Sequence, residues 1–232
     1  MKKSSKLLLC LILGTCFITG CDSKEKDKNK DNFNPVAQDK NDDWYDTNIS
    51  EDEVKKKIAM KAEKTLDGEI IVFVKNNSNS IIDDIELKCY FKDSSDNIID
   101  IEKDGHDMVI PGSTVVSNIK TYDSYNKYVC EIDSIELGRY SKYKNHAKKI
   151  DVKTSKANGK LIIEIKNNDD VEIDEIELAY VFYKDGKLIG SKEYEIRHLD
   201  ASKTDIGKLD LYEIDTYDKY EMYINQAHTF GL

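Results

Sequence analysis

The sequence predicts an all-β protein in which one β-sandwich domain is written twice. Two observations carry this. Beyond residue 54 apolar residues mostly alternate with polar ones, the period of a strand with one face on a core. The same succession of strands and turns then recurs at an offset of about 90 residues, the signature of an internal repeat.

The elements follow in order. Ser50-Glu51-Asp52-Glu53, with Val54 and Ile58 behind it, has the form of a capping box that opens a helix. Yet Lys57–Lys61 (KIAMK) matches Lys149–Lys153 (KIDVK), where Ile150 and Val152 alternate with polar residues as in a strand. At most one helical turn is therefore expected before the first strand. Next, Gly68–Asn77 (GEIIVFVKNN) returns as Gly159–Asn168 (GKLIIEIKNN), which puts Ile70, Val72 and Val74 on the face that Leu161, Ile163 and Ile165 occupy in the second copy. Ile85, Leu87, Cys89 and Phe91 form the inward face of a third strand, matched by Ile176, Leu178, Tyr180 and Phe182. Asp185-Gly186 reads as a tight hairpin turn, because glycine tolerates the positive φ that such turns demand; Ser94–Asn97 is its longer equivalent. Late in each unit Tyr125–Tyr128 matches Tyr217–Tyr220, and Tyr128, Cys130 and Ile132 match Tyr220, Met222 and Ile224. Short strands with polar turns at this spacing specify a sandwich. The expected boundaries are 54–137 for the first repeat, 138–146 for a linker and 147–232 for the second repeat.

A strand ending in paired asparagines, the hairpin Phe182–Gly190 and the turn Ile110-Pro111-Gly112-Ser113 together resemble the FxLYD group. These are small immunoglobulin-like β-sandwich domains of prokaryotic extracellular and lipid-anchored proteins. The resemblance covers both repeats and implies tandem immunoglobulin-like sandwiches that bind or space; it supplies no catalytic residue. The second repeat departs from it where Leu199-Asp200-Ala201-Ser202 replaces the proline-glycine turn.

The N-terminus is of another kind. Lys2, Lys3 and Lys6 precede Leu7–Thr19, an apolar run of thirteen residues that ends in Ile18-Thr19-Gly20-Cys21. The run is too short for a stable spanning helix and suits a secretion signal. Its end resembles the lipobox of bacterial lipoproteins, so residues 1–20 are expected to be a signal peptide cut after Gly20. Cys21 would carry a thioether-linked diacylglyceryl group and an acyl chain such as palmitate on its new amino terminus, and several chains anchor stably where one is reversible. Residues 21–53 are read as a tether: Asp22–Asp43 has almost nothing to bury and should remain without a fixed fold, with a span of about 30 Å for roughly 30 residues. Trp44-Tyr45 is read as an apolar plug at the end of this tether.

Composition excludes some functions. The formal charge is −10, and residues 1–20 hold three lysines and no acid, so the processed chain carries −13. Such a chain is a poor ligand for nucleic acid or anionic lipid. His106, His146, His198 and His228 lie far apart in sequence, which argues against a metal site and for solvated surface histidines. Asp83-Asp84 and Asp169-Asp170 read as solvated turns without the alternating acidic loop of a calcium site. No nucleophile elbow, phosphate loop or dinucleotide fingerprint occurs, so neither cofactor nor enzymatic activity is expected. Cys10 and Cys16 leave with the signal. Cys89 and Cys130, both inward in the first repeat, are either a disulfide, which an exported chain permits, or two small buried hydrophobes. Tyr140 and Tyr143 in the linker could brace the two domains. The expectation is a lipid-anchored, extracytoplasmic, non-catalytic binding or assembly module that meets another envelope protein. The alternatives are a small hydrolase or metal-dependent enzyme, and a passive spacer.

Overall fold

The computed structural model describes residues 49–121, 124–138, 144–212, 214 and 216–230, and these form two β-sandwiches. In the first, a short helix α1 (Glu51–Lys55) precedes β1 (Ile58–Lys64), β2 (Ile70–Asn76), β3 (Ile82–Lys92), β4 (Ile98–Val109), β5 (Thr114–Ile119) and β6 (Lys127–Glu136). The second consists of β7 (Lys144–Asn145), β8 (Ile150–Ala157), β9 (Lys160–Asn167), β10 (Ile173–Lys184), β11 (Lys187–Leu199), β12 (Thr204–Asp210) and β13 (Lys219–Thr229). Sheets ordered β1-β2-β5 and β4-β3-β6 face each other in the first sandwich; β12-β9-β8 and β11-β10-β13-β7 do so in the second. All ladders are antiparallel. This is an immunoglobulin-like arrangement, three strands on three in the first sandwich and three on four in the second, where β7 is added, and the fold class is the one the alternation predicts.

Helix α1 is the single turn that the capping box allows. Ser50 Oγ accepts from the Glu53 amide at 3.3 Å, and the Glu53 carboxylate accepts from the Ser50 amide at 3.2 Å. Five residues cannot hold a helix by propensity alone, and burial completes the account: Val54 is fully buried and Ile49 packs on the same core. The folded body therefore begins by Ile49, inside the stretch assigned to the tether. Likewise β7 lies within the predicted linker and pairs with β13.

Each core is filled by the residues that alternate inward, Ile70, Val72, Val74, Leu87 and Phe91 in one and Leu161, Ile163, Ile165, Leu178 and Phe182 in the other. Aromatic stacks recur as well. Tyr125 meets Phe91 edge-on at 4.9 Å, and Tyr217 meets Phe182 at 5.1 Å. The paired asparagines have a structural reason: only the first of each pair is buried. Asn76 Nδ2 donates to the carbonyls of Ser80 and Val109, both at 2.8 Å, and Asn167 Nδ2 donates to those of Val171 and Leu199 at 2.8 and 3.0 Å. Each side chain thereby ties its own turn to the end of the β4 or β11 strand across the sandwich, satisfying carbonyls that burial would otherwise leave unpaired. Asp185 and Gly186 have φ of 50° and 71°, as the hairpin requires.

Candidate functional site

The surface that distinguishes this chain from two beads on a string is the junction between its halves. On β2, Ile71 and Phe73 point away from the first core, and Val116 on β5 stands beside Phe73 in register. Ile71 and Val116 are buried together with Ala179, Val181 and Leu188 from the outer face of β10 and β11, with Phe73, Tyr183 and Tyr223 packed around them. Burying one large aliphatic side chain is worth about 1.5–3 kcal/mol. The connection already holds the halves together, so the roughly 4–15 kcal/mol cost of bringing separate molecules together does not apply. The two sandwiches form one body.

Asn225 fixes the geometry at the rim. Its Oδ1 accepts from the Val116 amide at 2.8 Å, and its Nδ2 donates to the Val116 carbonyl at 2.9 Å and to Glu177 Oε1 at 2.8 Å. A side-chain amide thus pairs the edge of β5 as a neighbouring strand would. Asn145 Nδ2 adds a bond to the Met108 carbonyl at 3.1 Å. Tyr140 and Tyr143, expected to brace the domains, lie outside the described residues, and the bracing that is seen comes from the sheet faces.

Because the domain is duplicated, every junction position has a counterpart. The registers align Val181 with Tyr90, Leu188 with Ile98, Ser191 with Ile101 and Glu221 with Val129. In the second sandwich Val181 and Leu188 are 0% and 5% exposed, whereas in the first Ile98, Ile101 and Val129 are 52%, 46% and 48% exposed. Tyr90 pairs with Ile101 on one side and Val129 on the other, so these three form a row across the sheet. Charges frame the row. Lys103 reaches Asp133 at 2.6 Å, Lys88 reaches it at 3.5 Å, and the Tyr90 hydroxyl donates to Glu131 at 2.9 Å. The hydrogen bond from Lys103 holds the Asp133 carboxyl below its ordinary range.

A cleft of about 290 Å³ opens beside the junction, lined by Asp84, Glu86, Asp104, Asp107 and Glu177 together with Lys103 and His106, among others. Burial pushes Glu177 above the usual carboxylate range, and the nearby Asp104 adds to the effect although Asn225 opposes it. Burial likewise pushes Glu193 up, reinforced by Glu177 and Asp104 and countered by Lys120. This lining disfavours anions and apolar ligands alike.

The histidines correct the sequence reading. His146 and His228 are buried, at 5% and 3% exposure, and burial holds both His106 and His228 below the usual imidazole range. His146 Nδ1 meets Asp169 at 2.8 Å, so Asp169 is a half-buried turn residue held by a buried histidine, while Asp170 beside it is solvated as expected. Asp83 is fully buried, on β3. At Asp83 the strand begins earlier than expected, and at Asp169 the turn stands but His146 draws the side chain in. His106 Nε2 lies 2.7 Å from Ser117 Oγ, but Ser117 is fully buried, so the pair serves packing rather than attack on a substrate. His198 alone among the four is exposed, and it converges with Glu172 and Asp174 near the ends of β10 and β11, their ligand atoms within 4.8 Å of one another. Sequence spacing missed this trio because topology, not proximity along the chain, assembles it.

Cys89 and Cys130 stand directly opposite each other on β3 and β6, with Cα atoms 4.0 Å apart, and are joined as a disulfide. Tyr180 and Met222 occupy the matching pair in the second sandwich. Gly20, Cys21 and the Trp44-Tyr45 pair lie outside the described residues, within which no helix is long and apolar enough to cross a membrane.

No family model and no curated protein matches the chain. Among solved structures it is similar to the C-terminal globular domain of an oligosaccharyltransferase from Pyrococcus abyssi, with 11% sequence identity and a TM-score of 0.19 over 69% of this chain. The chain spans only 41% of that structure's length.

Proposed function

We propose that this chain is a lipid-anchored, extracytoplasmic, non-catalytic binding or assembly module of the bacterial cell envelope. The observation that carries the binding part is the uncovered row Ile101–Tyr90–Val129. Its counterpart in the second sandwich is an interface, and an apolar row on a rigid sheet is a recognition surface by the same physics. A passive spacer has no use for it. The location rests on the basic start, the short apolar run and the lipobox before Cys21.

The anchor is tested by Cys21→Ala. The substitution is expected to release the protein from the membrane fraction or to leave its precursor uncut. A variant that remains membrane-bound and normally processed overturns the anchor.

A further inference from the structure

We infer that the uncovered face of the first sandwich receives the second sandwich of another copy of this chain, in the arrangement that already joins the two halves. This deepens the reading of the protein as an assembly module and rests on it. Within the chain, sheet β1-β2-β5 of the first sandwich lies on β11-β10-β13 of the second. The duplication supplies one more of each face: β4-β3-β6 on the first sandwich, and β8-β9-β12 on the second.

The second of these faces carries the counterparts of the residues that the first sandwich buries. The registers put Ile162 in the place of Ile71 and Ile206 in the place of Val116, and Ile206 is 61% exposed. Charge follows the same rule. At the existing junction Lys120 of the first sandwich attracts Glu193 of the second. Their counterparts are Asp210 and Lys103, so both signs are reversed and the attraction is kept. Glu164 stands for Phe73 and Lys88 for Ala179, a second opposite-charge pair. Glu131 stands for Tyr223 and is a like-charged neighbour of Glu164. The contact between copies is accordingly weaker than the one within the chain, and it gains from confinement of the copies on one surface. Since unlike faces join, each added copy leaves one face of each kind open, and copies stack head to tail.

The test is photocross-linking in cells that express the full chain with a benzophenone amino acid in place of Tyr90, alongside an isotope-labelled copy to identify intermolecular adducts. Adducts are expected on β9 or β12 of a second copy. Ile206→Asp should lower their yield about tenfold or more, since it sets an unpaired charge against an apolar row. Asp210→Lys should also lower it, and adding Lys103→Glu should restore it. Adducts confined to other polypeptides, or to other parts of a second copy, overturn the stacking and leave the module reading standing. Failure of residue 90 to form any adduct, in a protein whose melting is unchanged, overturns both.

Discussion

The two sandwiches share a fold and differ in how the sheet built on the third strand is secured. In the first, β3 and β6 are joined by Cys89–Cys130, and the outer face of that sheet stays open. In the second, Tyr180 and Met222 take the cysteine positions, the Tyr180 hydroxyl lies 3.0 Å from Thr154 Oγ1, and the outer face is covered by the first sandwich. One sheet has a cross-link and the other has a cover. The comparison teaches that either constraint suffices for the same scaffold, and that the choice decides which face is available.

Breaking the cover should have the largest effect. Val181→Asp places a charge in the buried junction and is expected to cost more than about 3 kcal/mol. It should also split unfolding into two steps, one per sandwich, as read by calorimetry. A single transition as cooperative as the parent's would show that the junction does not couple the halves. Removing the cross-link comes next. Cys89→Ala with Cys130→Ala should cost about 2–4 kcal/mol, confined to the first sandwich in hydrogen exchange. A nonreducing mass map that finds two free thiols in the parent would remove the basis for this expectation.

The smallest effect concerns charge at the rim. Burial raises Glu177, so the folded state binds its proton more tightly than the unfolded one. The stability from this group is complete below the ordinary carboxylate pKa of about 4.3 and is lost as pH rises through the raised value. Glu177→Gln should therefore raise the melting temperature at pH 7, and the gain should vanish near pH 4. A gain that persists unchanged in acid would assign it to something other than ionisation.

Much of this architecture is written in the sequence. Period-two patterns and the repeat specify strands, turns and cores, because alternation and turn chemistry are local. The junction is also legible, in a signal that alternation alone overlooks. Ile70–Val74 and Leu178–Tyr183 are apolar at nearly every position, which is what a strand covered on both faces requires. The copies make it plainer: outward Phe73 is Glu164 in the repeat, and outward Ala179 is Lys88. The histidine environments and the Glu172–Asp174–His198 convergence were not legible, since each depends on which strand ends the topology brings together. Position Asn225 was equally hidden, because its partner is the backbone of the other sandwich.

The disulfide has one more consequence, and it concerns register. Cys89 sits one residue before Tyr90 and Cys130 one residue after Val129, and the two cysteines oppose each other as Tyr90 and Val129 do. A slip of β6 by one residue along β3 would turn Val129 into the core and bring Cys130 to the outer face. In the second sandwich the covering half opposes such a slip. In the first no described element covers the sheet, and the covalent bond acts as an alignment pin: it keeps that face pointing outward in one fixed pattern.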